Sequence, residues 1–203
     1  DAWLDGVLVV SAPFDGEGKG AAYVYRKRGK FWHLRQKLIA ADGAPDTRFG
    51  FSVDVRGDVI AISAAGSRIP EPSDDACFGF GSNGSGAVYV FLRQGNLWSE
   101  TQKVFAPDVQ CSTNFGGGVW LGKDRLVALN SERGRFWGDG YANIFARNGD
   151  RFEVLARASI NPQAFFSFDV GNHELFFGQA EPDFSHSIGE VAVYALRPME
   201  PVE

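Results

Sequence analysis

The 203-residue sequence lacks several features that would mark particular classes of protein. It has no run of about 18 apolar residues, which excludes a transmembrane helix. Lys and Arg total 20 against 25 Asp and Glu, and the formal charge of −5 argues against a nucleic-acid partner, because phosphate binding needs a basic face. An initiator Met and a signal peptide are absent, and the chain opens at Asp1, as a processed or trimmed chain would.

Residues that build catalytic and metal sites are also scarce. The three histidines lie far apart, and neither His-x-x-x-His nor Cys-x-x-Cys occurs, so we expect no zinc site. Two cysteines, Cys77 and Cys111, are too few for a disulfide framework. The nucleophile elbow Gly-x-Ser-x-Gly is absent. We therefore expect no enzyme, and keep a hydrolase only as a third hypothesis, because the two acids of a glycosidase come from distant parts of a sequence.

Glycine and phenylalanine, with 25 and 18 residues, are abundant and fall into internal repeats. A Gly-x-x-Tyr-Val-Tyr pattern at residues 20–25 returns in related form at 86–91, 140–145 and 189–194. The intervals between these copies are 66, 54 and 49 residues. A Phe-Gly segment keeps the same phase at residues 49–55 and 115–121, with a looser match at 165–170. Repeats of about this length, with several strands each, predict a β-propeller.

Each repeat is interpreted as four short strands, A to D. Strand A is the Phe-Gly segment, B an apolar run, C the Gly-x-x-Tyr-Val-Tyr segment, and D a strand with an aromatic residue. Gly29, Gly95 and Gly149 fall between C and D, where a tight hairpin needs a positive φ. Strands B and C are apolar on both faces, as in a blade between two neighbours. The expected fold is all-β, a propeller of four-stranded antiparallel blades, with repeats at about 1–42, 43–108, 109–160 and 161–203.

The number of blades in the complete propeller stays open. There are four B–C units but only three full A strands, and the two prolines after residue 196 make poor material for a fourth D strand. The chain is either a small ring of four blades or, as we favour, part of a longer propeller of six to eight blades. In both cases Trp32 and Trp98, which occupy one position of strand D, are predicted to be buried between blades.

The Phe-Gly segments, together with Ser11-Ala12-Pro13 in place of a Gly-Ala-Pro segment, resemble the FG-GAP repeats of integrin α-subunits. This resemblance covers nearly the whole chain and is strongest in the first two repeats. It implies a propeller outside the cytoplasm, as on adhesion receptors, lectin-like proteins and bacterial surface proteins. We therefore expect an extracellular, cell-surface or periplasmic location.

Calcium is the cofactor that the resemblance would imply, because many repeats of this family carry an Asp- and Asn-rich loop between strands A and B. The corresponding turns here, at residues 56–58, 122–124 and 171–174, do not offer the several converging oxygen atoms that calcium needs. We therefore expect neither a metal nor a cofactor.

Three motifs that suggest chemistry are better explained by turns. Arg56-Gly57-Asp58 spells an integrin-recognition tripeptide, but it occupies the A–B turn, and we predict that it is not a recognition site. The glycine pattern at residues 79–84 precedes a strand rather than a helix, which favours a loop over a dinucleotide site. The basic run at residues 26–30 lies at a hairpin tip and is interpreted as solvated.

The functional site is predicted on the face that carries the B–C and D–A loops, because the B–C loops vary in length and hold aromatic residues outside the strand pattern. The candidate ligand-binding residues are Phe80, Arg135, Trp137 and Phe184. Cys77 lies in a B–C loop and Cys111 in the D–A link that follows. Because these connections emerge on one face, we predict a Cys77–Cys111 disulfide, which fits an oxidising compartment.

The first function hypothesis is a non-catalytic binding or adhesion propeller that recognises a protein or a glycan. The alternative is a structural subunit of a larger cell-surface or extracellular assembly. Exposed apolar surface on the terminal blades would favour this alternative, because an unclosed array must cover its ends.

Overall fold

The computed structural model describes residues 2–4, 6–67, 85–107, 115–131, 140–160, 165–170, 174–179 and 190–195. These residues form four antiparallel sheets that follow one another along the chain. The first sheet contains β1 (Ala2–Leu4), β2 (Val7–Ala12), β3 (Ala21–Arg28) and β4 (Phe31–Leu38). The second contains β5 (Phe49–Arg56), β6 (Val59–Ala64), β7 (Ala87–Gln94) and β8 (Leu97–Val104).

The third sheet contains β9 (Val119–Leu121), β10 (Arg125–Ser131), β11 (Gly140–Asn148) and β12 (Arg151–Ile160). The fourth contains β13 (Phe165–Val170), β14 (Glu174–Gln179) and β15 (Glu190–Ala195). Each sheet pairs its strands in chain order, so the sheets are the predicted blades and their strands are A to D. The predicted all-β fold of antiparallel, propeller-type blades is confirmed. Among the described residues, the one helical segment is the short turn α1 (Asp15–Gly18), and no helix is long and apolar enough to cross a membrane.

The pairing of strands C and D repeats from blade to blade. The C–D pairs of the first three blades each contain one irregularity at the same point, after Val24, Val90 and Ile144. A bulge kinks and twists an antiparallel pair, so the three blades share one curvature. At the C–D turns, Gly29, Gly95 and Gly149 have φ values of 59, 64 and 60°, as the hairpin interpretation predicts.

The hydrophobic core lies between blades rather than within one blade. One buried cluster joins side chains of the first blade, such as Val9, Val24 and Leu38, to Ile60 and Tyr89 of the second. A second cluster joins the opposite face of the second blade to the third. All six residues of β6 are buried, because its sheet is covered on both sides. We call the face that packs on the next blade the forward face and the opposite one the rear face.

The rear face of the first blade corrects one prediction. Trp98 and its third-blade equivalent Phe152 are 5% and 3% exposed, whereas Trp32 is 36% exposed. The rear faces of the second and third blades are covered by the blade before them, but no described strand precedes β1. The prediction that Trp32 is buried was therefore wrong, because the burial of that position is supplied by a neighbouring blade and not by its own repeat.

Candidate binding surfaces

The residues predicted to bind ligand lie outside the described part of the chain. This holds for Phe80, Arg135, Trp137 and Phe184, and equally for the two cysteines of the predicted disulfide, Cys77 and Cys111. The assignment of the ligand-binding residues and the disulfide therefore stay predictions. Intact-mass measurement with and without reduction would test the disulfide, since its formation removes two hydrogen masses from the unreduced chain.

The connections divide each blade into two unlike ends. The A–B and C–D hairpins leave two or three residues between strands and emerge at one end, which we call the hairpin end. The B–C and D–A connections emerge at the other end, the loop end, and most of them are far longer. The connection between β6 and β7 spans residues 65–86, whereas that between β2 and β3 spans residues 13–20. The variation that the sequence predicted is thus concentrated at the loop end.

At the loop end, the Phe14 side chain lies outside the strands and is 74% exposed. It immediately precedes α1, where Gly16 and Glu17 both have positive φ. A large apolar ring held in water by a tight turn is suited to contact a partner, because its burial on binding would remove apolar surface from solvent.

An Asp–Tyr–Lys cluster links the first two blades at the loop end. The Tyr89 hydroxyl donates to Asp42 Oδ1 at 2.7 Å, and Lys103 Nζ lies 2.6 Å from Asp42 Oδ2. Partial burial raises the pKa of Asp42, but the hydrogen bonds from Lys103 and Tyr89 outweigh it and hold that pKa below its usual value. Burial raises the pKa of Tyr89. The cluster therefore stays an ionised carboxylate with a protonated phenol at neutral pH, which suits a structural link.

The first blade builds the same cluster from its own residues. Tyr23 donates to Asp15 Oδ2 at 2.8 Å, and Lys37 Nζ lies 2.7 Å from the same atom. Lys37, the main cause, and Tyr23 hold the pKa of Asp15 below its usual value. In the second blade the carboxylate comes from the preceding D–A link, whereas here it comes from α1 in the blade's own B–C connection.

The Arg56-Gly57-Asp58 tripeptide forms the β5–β6 hairpin, with Gly57 at a φ of 60°. Both oxygens of Asp58 accept hydrogen bonds from the guanidinium of Arg147 in the third blade, at 2.7 and 2.8 Å. This ion pair holds the pKa of Asp58 below its usual value. The carboxylate that a receptor would need is thus engaged by the neighbouring blade, which supports the interpretation of this motif as a turn.

Two clefts open at the hairpin end, one between each successive pair of the first three blades. The first cleft, about 550 Å³, is lined by Gly6, Arg26, Lys27, Arg28, Arg35, Asn96 and Leu97. The second, about 290 Å³, is lined among others by Arg56, Asp58, Lys123 and Arg147. The sequence interpretation missed the first cleft, because it treated residues 26–30 as a solvated tip. The signal available was Arg35, which follows that tip on strand D.

Within the described residues, no group of three or more His, Cys, Asp or Glu side chains is placed to hold a metal ion. The expectation that the protein holds neither calcium nor another cofactor stays a prediction.

Comparison with known families identifies a match over part of the chain. Residues 32–91, which run from strand D of the first blade to strand C of the second, match the family model of the FG-GAP repeat. No curated protein matches the chain.

Proposed function

Starting from an FG-GAP repeat in a series of propeller blades, a fold often used for binding and adhesion, we propose that this chain is a non-catalytic binding module. It recognises a protein or a glycan through the loop end, in an extracellular, cell-surface or periplasmic setting. The candidate anchors are Phe80, Arg135, Trp137 and Phe184, joined by the exposed Phe14.

The contrast between the two ends of the blades is the observation that carries this proposal. Hairpins of two or three residues keep the strands in register, while the loop end accommodates connections of very different length on the same frame. Scaffolds generally place recognition on variable loops held by rigid elements, because loop changes then leave the core intact. The exposed ring of Phe14 shows that apolar surface is available at this end.

Alanine substitution of a predicted anchor tests the proposal. The wild-type chain is first screened against a glycan array and immobilised extracellular-matrix proteins, and its best probe is used. We expect Trp137→Ala to weaken binding by about 2 kcal/mol, or roughly 30-fold. The thermal midpoint should stay unchanged, because an anchor exposed on a loop contributes little to the core.

Lys123→Ala provides the matched control, because this side chain is exposed in a hairpin turn at the opposite end. It should bind as the wild type does. The proposal fails if no probe binds, if the control loses as much affinity as Trp137→Ala, or if Trp137→Ala unfolds the protein without a separate binding defect.

A structural role is the second candidate, and the rear face of the first blade favours it. Tyr23, Tyr25 and Trp32 are only partly covered there. Their second-blade equivalents Tyr89, Phe91 and Trp98 are 1%, 3% and 5% exposed. The occupant that this face fits is the forward face of another blade of the same repeat, because both described inter-blade interfaces have that composition.

Self-association of the chain tests this second candidate. If a second copy supplies the covering blade, sedimentation velocity should show association that grows with protein concentration. Trp32→Asp should abolish it, while Val154→Asp, which alters an exposed apolar residue on strand D of the third blade, should not. A chain that stays monomeric at every concentration, or one that associates equally in both variants, would contradict the structural role.

A further inference from the structure

The first cleft at the hairpin end concentrates positive charge in an acidic protein. Four of its seven lining residues are cationic and none is acidic, although the chain has a formal charge of −5. Among the described residues, none of these four side chains forms an ion pair. Lys27 points away from the others, because its ammonium lies over the Trp32 ring, 5.8 Å from the centroid.

The second cleft differs from the first in containing a paired carboxylate. There Asp58, the residue before β6, forms a two-pronged ion pair with Arg147 across the gap between blades. The residue before β2 in the first blade is Gly6, which has no side chain to play that role. Among the described residues, no carboxylate therefore lines the first cleft or pairs with its cations.

Three guanidinium groups can converge on a bound anion in this cleft. Arg26 and Arg28 alternate along β3 and therefore project from the same face, and Arg35 stands at the irregular point of the C–D pair. Arginine binds sulfate and carboxylate groups with two parallel hydrogen bonds, and neutralising the cluster would relieve repulsion between like charges. A volume of about 550 Å³ lies within the range of small-ligand sites.

An exposed aromatic ring beside the guanidinium groups defines the class of ligand further. Phe31 is 72% exposed and pairs with Arg28 across the hairpin, so the two side chains lie on one face of the sheet. A flat apolar ring next to anion-binding groups suits a sugar ring that carries an acidic substituent. An extended nucleic acid fits less well, because the chain as a whole carries a formal charge of −5.

We propose that the cleft between the first two blades, at the hairpin end, binds an anionic saccharide. Arg26, Arg28 and Arg35 hold its sulfate or carboxylate group, and Phe31 stacks on its ring. This site lies at the end of the blades opposite to the loop end and is independent of the recognition proposed there.

Calorimetric titration of the whole chain with defined probes tests the proposal. The probes are a sulfated disaccharide, a uronic-acid disaccharide, their neutral counterpart, inorganic sulfate and a single-stranded oligonucleotide of matched charge. We expect an acidic disaccharide to bind, with an affinity that falls as salt rises. Comparing the two acidic probes identifies the anionic group, and the neutral probe should not bind detectably.

Three variants locate the site. Arg28→Gln combined with Arg35→Gln should weaken binding of the acidic saccharide by about tenfold or more. Lys123→Gln, which removes a charge from the second cleft, should change it by less than about twofold. Phe31→Ala should weaken binding of the saccharide but leave binding of inorganic sulfate unchanged, because sulfate has no ring to stack. All four substituted side chains are exposed, so circular dichroism should report an unchanged fold.

Several outcomes would overturn the proposal. These are a failure of both acidic saccharides to bind, an equal loss of affinity in the Lys123→Gln control, and tighter binding of the oligonucleotide than of either saccharide. Trp137→Ala should leave this binding unchanged, so failure of the loop-end proposal and failure of this one are distinguishable.

Discussion

Removal of one glutamine side chain should weaken the contact between two blades by a measurable amount. Gln36 on strand D of the first blade donates from Nε2 to the Trp98 carbonyl oxygen at 2.7 Å and accepts from the Trp98 N–H at 2.8 Å. Gln102, in the same position of the second blade, makes the same pair of bonds to Phe152, at 2.8 and 2.7 Å. Each glutamine therefore closes the open edge of the next blade's outermost strand.

The expected cost follows from those two bonds. A hydrogen bond contributes about 0.5–1.5 kcal/mol net, so Gln36→Ala loses about 2 kcal/mol from the free energy of unfolding. Trp98 is 5% exposed, so its freed N–H and C=O groups would be poorly hydrated. Each of the two lost bonds should therefore cost an amount in the upper part of the range for one hydrogen bond. Equilibrium unfolding in urea, followed by circular dichroism, measures the change, and the slope with denaturant should stay constant.

Gln94→Ala is the matched control, since the Gln94 amide makes only an exposed 3.3 Å contact with Ser99 and should change stability by less than about 0.5 kcal/mol. Gln36→Glu retains the acceptor for the Trp98 N–H but places a carboxylate against the Trp98 carbonyl oxygen. It should therefore be at least as destabilising as alanine at neutral pH. If Gln36→Ala is no worse than Gln94→Ala, the clamp does not contribute to the interface and the reasoning is refuted.

Two further predictions concern the contacts between blades. Gly86 has a φ of 82°, and a Cβ there would lie 2.1 Å from the Phe115 carbonyl oxygen, so Gly86→Ala should cost about 3 kcal/mol or more in urea unfolding. Gly95→Ala has a similar φ but open space around the Cβ and should cost only about 1–2 kcal/mol; equal costs would contradict the close approach. Arg147 depresses the pKa of Asp58. The contribution of this ion pair to the free energy of unfolding is therefore present above about pH 4 and is lost as the pH falls through the folded-state pKa of Asp58. Asp58→Asn should therefore lower stability by up to about 1 kcal/mol at neutral pH and converge with the wild type in acid, and a gap that is constant with pH would contradict this.

The strand phase was predictable from the sequence because its signals are local. A C–D hairpin needs a glycine at one point of a short turn, and Gly29, Gly95 and Gly149 supply it. Strands covered on both faces show continuous apolar runs, and β6 shows one. Each of these signals lies within about ten residues, so degraded copies of the repeat still carry them.

The burial of Trp32 was not predictable in the same way. Trp32 and Trp98 occupy one position of the repeat and pair with matching positions of strand C, Lys27 and Arg93. They differ because the first blade covers Trp98 and provides Gln36 to its backbone, whereas no described blade does this for Trp32. A repeat pattern thus predicts which face is apolar, but only the order of blades determines whether that face is covered.

The charge of each cleft depends on residues that lie far apart in the sequence. Asp58 and Arg147 are separated by 89 residues in the chain and meet only because successive blades stack. Likewise, the first cleft joins Gly6, Arg26 and Arg35 of one blade to Asn96 of the next. No single repeat determines the charge of such a gap, because each blade supplies only one wall of it. Substitutions in hairpin turns can therefore change the charge of one cleft while every strand keeps its register. The gaps between blades are thus places where binding properties can change without a change in the fold.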